Sequence, residues 1–358
     1  MCAAAIMLLL LASPALALDR SSDEFLAGYI TSIVERELHW ESGSYRLKVV
    51  GGAATVTLLK DDPERRKAGE EHLRAIEGLK EVAVVVAPAP GEPGAVSRFL
   101  GVTGEVDPLP MGDVFRPLIA DPKQPRFFVS LNRYDSSLRK FTLASVGFGE
   151  TFGLYRFIGT REGDGLQLSI EGALFAQFDM NSASHDLINA DYTVGIPVTY
   201  RSGDNSLRFR IYHQSSHLGD EFLLRVVHPQ RINLSFESVE LLYSREWRSW
   251  RLYGGGEYLI HKEPAELKPG SFHWGLEYLG LKPLLFGGRL VGGVDLKSME
   301  EHGWDTDISA KAGLEFGQPD PGHRRLRIAA QWYKGFDPHG QFYNNRIEYY
   351  GLELALGF

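Results

Sequence analysis

From Arg126 onward the chain alternates apolar and polar residues in stretch after stretch. A period of two is the signature of β-strands with two different faces. Leu166, Leu168, Ile170, Leu174 and Phe178 share one parity against Gln167, Ser169, Glu171 and Gln177. Ile308, Ala310, Ala312, Leu314 and Phe316 stand against Asp307, Ser309, Lys311 and Glu315. Leu326, Ile328, Ala330 and Trp332 stand against Arg325, Arg327 and Gln331. The second face is not merely polar, because it carries charges of both signs at mid-strand.

A soluble sandwich or a lipocalin hides its apolar face and shows the same alternation. Strand lengths of about 9–13 residues, Tyr, Trp and Phe near strand ends, and glycines within strands favour a membrane barrel instead. Short turns near 318–323, 282–284, 247–249, 202–205 and 159–163 alternate with longer loops near 337–345, 299–303, 262–270, 218–230 and 179–189. With strands at about 141–157 and 126–133, the count reaches twelve and leaves both ends in the periplasm, where such barrels keep their short turns. The expected fold is mainly β: an antiparallel transmembrane β-barrel of about 12 strands over 126–358, preceded by a small α/β domain.

That first domain spans 19–87. Ser22-Asp23 offers a helix cap, and Phe25, Leu26, Tyr29, Ile30, Ile33 and Val34 recur at helical spacing. Two strands, 45–50 and 54–59, meet at Gly51-Gly52; Asp62-Pro63 opens a second helix, and 82–86 reads as a third strand. This order, with Gly78-Leu79-Lys80-Glu81-Val82 after the second helix, resembles the BON module of periplasmic and outer-membrane proteins. The resemblance implies binding of phospholipid or another envelope component, and a spacer without a ligand is the alternative. Residues 88–125 form a linker: a Pro-rich stretch, then Asp113-Val114-Phe115-Arg116-Pro117-Leu118-Ile119-Ala120-Asp121-Pro122-Lys123-Gln124-Pro125, whose large apolar residues need something to pack against.

Charge and targeting signals narrow the setting. The net charge of -8 over 358 residues gives no reason to expect nucleic acid as a partner. No run of about 18 apolar residues follows the N-terminus, which excludes a helical membrane span and leaves a barrel open. Residues 1–17 read as a secretory signal ending in Ala15-Leu16-Ala17. The single cysteine, Cys2, leaves with it, so neither a thiolate nucleophile nor a cysteine metal site remains. The alternating residues that end in Phe358 resemble the signal read by the barrel insertion machinery. The bacterial outer membrane is therefore the expected location, with the N-terminal domain in the periplasm.

Candidate chemistry lies in Leu207–Glu221. Leu207, Phe209 and Ile211 share the apolar face, and continued alternation adds His213 and Ser215 to it, facing lipid. A hydroxyl and an imidazole there cost desolvation energy unless they are hydrogen-bonded. Serine becomes a nucleophile when a histidine takes its proton and a third group orients the histidine. The third group is open: Asp220 and Glu221 are near in sequence, while Asn233 is turned inward by its alternation with Ile232 and Leu234. Ser216 and His217 are candidate binding residues. Asp220 and Glu221, with His217, would equally suit a hard cation such as calcium. His185, His261, His302 and His339 read as loop or interfacial residues, and His273 as inward-facing.

The segment Phe115-Arg116-Pro117-Leu118-x-Ala120-Asp121-Pro122-Lys123-x-Pro125, followed by His213-x-Ser215-Ser216-His217-Leu218-Gly219-Asp220-Glu221, resembles an uncharacterised family of bacterial outer-membrane proteins carried as a domain of unknown function. The His-x-Ser pair alone is similar to that of outer-membrane phospholipase A and of the lipid A deacylase of Gram-negative bacteria. It implies His213 as base and Ser215 as nucleophile of a lipid acyl hydrolase acting on outer-membrane lipid. The phospholipase has Asn-Gly after its serine, where this chain has Ser216-His217. The alternative is a barrel without catalysis: a narrow channel, or an envelope-organising scaffold whose periplasmic module binds lipid or a partner.

Overall fold

The computed structural model describes residues 22–41, 43–86, 100–136, 140–225, 231–318 and 323–357. Residues 1–17, expected to be a secretory signal, the Pro-rich stretch of the linker and Phe358 lie outside them. Contacts divide the chain at Ala89/Pro90 into two units.

In the first unit, Ser22 caps α1 (Asp23–Arg36) by accepting from the Phe25 amide at 3.2 Å, and Asp62 caps α2 (Pro63–Leu73) through Arg65 at 3.0 Å. β1 (Tyr45–Val50) and β2 (Ala53–Leu58) form an antiparallel hairpin, and β3 (Glu81–Val86) runs parallel to β2. Gly51 and Gly52 turn the hairpin at φ of 59° and 84°, a backbone region that costs glycine nothing. Their amides donate to the Asp23 carboxylate at 2.7 and 2.9 Å, fastening the turn to α1. Leu26, Ile30, Val34, Val56, Leu58 and Leu73 form the core. The helix–strand–strand–helix–strand order is the expected one.

The second unit is a closed antiparallel barrel of twelve strands. They are β5 (Phe127–Ser136), β6 (Lys140–Gly159), β7 (Gly165–Asp179), β8 (Leu187–Ser202), β9 (Asn205–Leu218) and β10 (Leu234–Trp247), followed by β11 (Trp250–Glu263), β12 (Gly270–Leu285), β13 (Gly288–Met299), β14 (Thr306–Phe316), β15 (Arg325–Phe336) and β16 (Arg346–Gly357). Each pairs with its neighbours in sequence, and β16 pairs with β5 to close the ring. A further strand in the linker, β4 (Val102–Pro108), pairs with the end of β6 beyond the reach of β5. The sequence does not announce β4, because Gly104 and Pro108 interrupt a short, partly charged run.

The faces decide the class of barrel. Val129, Leu131, Ile196, Phe209, Ile211, Leu241 and Leu252 point outward and are exposed, whereas Arg208, Arg210, Glu240, Arg251, Glu277 and Glu353 point inward and are buried. A water-soluble barrel has the opposite arrangement; an apolar exterior around a charged interior belongs to a barrel surrounded by lipid. This is an outer-membrane-type β-barrel. No helix among the described residues is long and apolar enough to cross a membrane.

The lumen is filled by the segment that leads into the barrel. Phe115 lies between the guanidiniums of Arg208 and Arg251, 4.9 and 4.6 Å from its ring centre, close enough for cation–π attraction in a desolvated site. Leu118 and Ile119 are fully enclosed. The Ile119 amide donates to Glu277, Ser309 donates to the Ala120 carbonyl at 2.7 Å, and Arg126 donates to the Ile119 carbonyl at 3.0 Å. The apolar residues of this proline-dense segment thus pack inside the barrel, where their backbone groups find side-chain partners.

Candidate functional site on the outer face of the barrel

The turns at one end of the barrel are short: two residues separate β8 from β9 and two separate β10 from β11. The other end carries longer loops, including a short helix, α3 (Asp220–Arg225), and 3-10 turns at Glu300–His302 and Gly340–Phe342. His213 and Ser215 lie near the long-loop end.

The register of β9 is unbroken against both neighbours from Asn205 to Ser216, so parity fixes the direction of every side chain. Leu207, Phe209, Ile211, His213 and Ser215 face outward; Arg208, Arg210, Tyr212 and Ser216 face inward and are buried. His213 lies in a cross-strand row with Val194 on β8, Glu237 on β10 and His261 on β11. Its Nδ1 is 2.8 Å from Glu237 Oε1, and Nδ1 of His261 is 2.8 Å from Glu237 Oε2. His261 reaches this row because β11 bulges at Ile260: Glu237 pairs with His261 while Ser238 pairs with Leu259. Bulges of this kind re-aim side chains beside functional sites.

This row marks the edge of the apolar belt. Toward the short-turn end the outward residues are Ile196, Ile211, Phe209, Val239 and Leu241; toward the long-loop end they are Ser215, His217, Ser235 and Asn233, with the amphipathic Tyr192 opposite Ser215. A carboxylate on the outer wall of a membrane barrel is costly unless paired, and Glu237 is paired on both oxygens. The His213 and Glu237 side chains are 38% and 42% exposed, so a molecule at the barrel surface can reach them. With Nδ1 held by the carboxylate, Nε2 is the nitrogen free to act on Ser215. Ser215 is two residues along the same face, about 6.5–7 Å away at Cα. No hydrogen bond joins the two side chains among the described residues.

The other predicted residues lie elsewhere. Ser216 faces the lumen, where its hydroxyl donates to Asp191 at 2.5 Å and its carbonyl accepts from Gln341 at 2.9 Å; it braces the strand from within and does not line the outer face. His217 is outward and exposed, its ring edge-on to Tyr192 at 5.8 Å. Asp220 and Glu221 begin α3 with exposed side chains, and neither pairs with His213. Asn233 precedes β10 and is exposed, not turned inward: Leu234 takes the inward position and packs against Gly340 of the long loop. Apolar residues enter the lumen at this end because the loops close over it. The carboxylate beside His213 is Glu237, near the start of β10 in Leu234-Ser235-Phe236-Glu237-Ser238, where a charge on the outward parity could have drawn attention.

Inside the barrel, Asp121, His273 and Asp295 bring one ligand atom each to within 4.8 Å of one another. Neither Asp220 nor Glu221 joins such a cluster among the described residues.

A family pattern covers residues 95–358, the whole barrel and the segment that fills it; it is that of the DUF1207 family, described as a protein of unknown function. The chain belongs to the DUF1207 family. No curated protein matches it. Among solved structures, the DUF1207 chain is similar to the outer membrane phospholipase (OMPLA) dimer with bound calcium from Salmonella typhi, at 14% identity over 66% of this chain and 94% of that one, with a TM-score of 0.46. It is similar to outer membrane phospholipase A from Escherichia coli at 12% identity over 68% and 95%, with a TM-score of 0.47. The KdgM porin in complex with oligogalacturonate matches at 10% identity over 64% and 99%, with a TM-score of 0.35. At these values the likeness is one of barrel architecture and nothing finer.

Proposed function

We propose that this barrel is a lipid acyl hydrolase whose site is on its outer wall, with Ser215 as nucleophile, His213 as general base and Glu237 as the group that orients the histidine. The observation that carries this reading is the 2.8 Å contact between His213 Nδ1 and Glu237 on the lipid-facing side. An ionisable pair on such a surface needs a reason beyond packing, and carboxylate–imidazole–serine is the order that activates a hydroxyl.

The substrate class follows from position. The row lies where outward apolar residues give way to polar ones, the depth at which an acyl ester of a membrane lipid lies between chain and head group. With short turns on the periplasmic side, as in barrels of this type, the row would lie at the outer leaflet. Ser215 Oγ attacks the ester carbonyl carbon while its proton passes to His213 Nε2. The histidine then returns that proton to the leaving alcohol, and water repeats the sequence to free the fatty acid and restore the serine. The lumen is occupied by the 113–126 segment, which favours this reading over an open channel. The N-terminal module, read as periplasmic, would bind lipid or another envelope component.

The test is acyl release from labelled phospholipid and lipopolysaccharide by the full-length chain refolded in mixed micelles. Ser215→Ala and His213→Ala are expected to lower the rate by about 10²–10⁴-fold, the contribution of a positioned base, and Glu237→Gln to follow them. His261→Ala should stay within about fivefold of wild type, because an exposed pair is screened by solvent and contributes little. Absence of acyl release from any lipid, or release indifferent to all of these changes, refutes the assignment.

A further inference from the structure

We propose a second site, independent of the outer-wall chemistry: Asp121, His273 and Asp295 bind one divalent transition-metal ion inside the lumen. The three residues come from the lumen-filling segment, β12 and β13, and all are buried. His273 Nε2 is 2.6 Å from Asp295 Oδ2, and the ligand atoms of all three lie within 4.8 Å.

Two further observations point to a cation there. The first is charge. Lys297 is held by Glu257 at 2.9 Å, Lys123 by Asp191, and Arg210 by Glu171 and Glu240 at 3.0 and 2.8 Å. Each of these cations contacts another carboxylate, and among the described residues none makes an ion pair with Asp121 or Asp295, whose nearest cationic partner is the His273 imidazole. A divalent ion neutralises two carboxylates beside a neutral histidine. The second is access. All three residues open onto a cavity of about 160 Å³ under the long loops, with Leu267 and Met299 in its upper wall. That cavity has room for a water in the open coordination position of a three-ligand site.

The supporting groups suit the role as well. The Lys123 amide donates to Asp121 Oδ1 at 2.8 Å, and the Tyr253 hydroxyl donates to Asp295, so both carboxylates are oriented before an ion arrives. One imidazole and two carboxylates, without sulfur, suit zinc or manganese better than calcium. Binding would replace the His273–Asp295 hydrogen bond and, because the ligands bind deprotonated, release a proton whenever the histidine is charged. Because Asp121 belongs to the segment that fills the barrel, the ion would also fasten that segment to the wall.

The probe is Zn²⁺ alone, titrated into the full chain refolded in detergent, with Ca²⁺ in parallel and Co²⁺ for its absorption spectrum. We expect one Zn²⁺ per chain, bound more tightly than Ca²⁺, and a rise in the unfolding temperature. His273→Gln and Asp121→Asn, each checked for folded electrophoretic mobility, should weaken binding by at least about 10–100-fold and remove the Co²⁺ signature. His261→Ala should leave both unchanged. No Zn²⁺ bound to wild type, binding retained in folded His273→Gln and Asp121→Asn, or binding lost in His261→Ala would each overturn the proposal. If His273→Gln does not fold, Asp121→Asn decides alone, because its residue lies on a segment and not in a strand.

Discussion

The outer wall and the lumen of this barrel are built from the same strands and obey opposite rules. Leu241 and Leu242 are neighbours on β10; Leu241 is 49% exposed and meets lipid, whereas Leu242 is fully enclosed with Phe115, Leu118 and Tyr253. On the wall, apolar residues need no particular partner, since lipid chains serve as well as any side chain. In the lumen, every charge needs one: Arg251 donates to Glu277 at 3.2 Å, and Lys311 to Glu353 at 2.6 Å. The difference makes a charged group informative on the wall and ordinary in the lumen. Glu237, with a histidine on each oxygen, is thus the feature that calls for a functional explanation.

The largest predicted break in this contrast is to strand a lumen charge. Arg251→Met leaves Glu277 buried with, among the described residues, the Ile119 amide as its remaining hydrogen-bond partner, and should cost about 3–5 kcal/mol, the usual penalty for an uncompensated buried charge. The midpoint of urea unfolding in detergent or vesicles measures it; a shift equivalent to under about 1 kcal/mol would show that the lumen is more hydrated than its packing indicates. Next comes the adjacent pair. Leu242→Ala should cost about 2–5 kcal/mol by opening a cavity, while Leu241→Ala, facing lipid, should cost far less. Equal costs would contradict the assignment of faces. A charge sharpens the same point: Leu241→Arg should cost about 2–4 kcal/mol if the residue sits near the bilayer midplane.

The smallest effect concerns the loops. His302 stacks on Phe336 with ring centres 3.7 Å apart, and burial pulls its pKa below the ordinary histidine value. The unfolded loop therefore takes up a proton that the folded loop resists. Its stability is present above about pH 6.5 and falls as the pH drops below that value. The protection of amides around 300–305, taken as exchange relative to the intrinsic rate at each pH, should fall between pH 7.5 and 5.5, and His302→Phe should abolish that fall. A fall that persists in His302→Phe would remove the histidine from the account.

Much of the barrel was legible because alternation is a local signal. The twelve strands, the short turns near 203–204 and 248–249, and the outward direction of His213 and Ser215 all follow from parity along single strands. What parity does not carry is the contact between strands. Glu237 meets His213 through the register of β9 with β10, and His261 joins them only through a bulge at Ile260. Asn233 points outward although alternation turns it inward, because the equation of apolar with outward fails at Leu234 and Phe236, where the loops close the lumen and Phe236 faces its cavity. The Asp121–His273–Asp295 cluster was invisible for a related reason. Its members are far apart along the chain, and two of them arrive from opposite sides of the linker–barrel boundary.

The central claim is that Ser215 is activated by His213 and Glu237 on the lipid-facing wall. Its most direct test is covalent: the refolded full chain is treated with a fluorophosphonate in mixed micelles, and the modified residue is located by peptide mass. One phosphonyl group on Ser215 is predicted, absent in Ser215→Ala and greatly slowed in His213→Ala and Glu237→Gln. No labelling of wild type, or labelling of Ser215 at the same rate in all three folded forms that retain the serine, would contradict it.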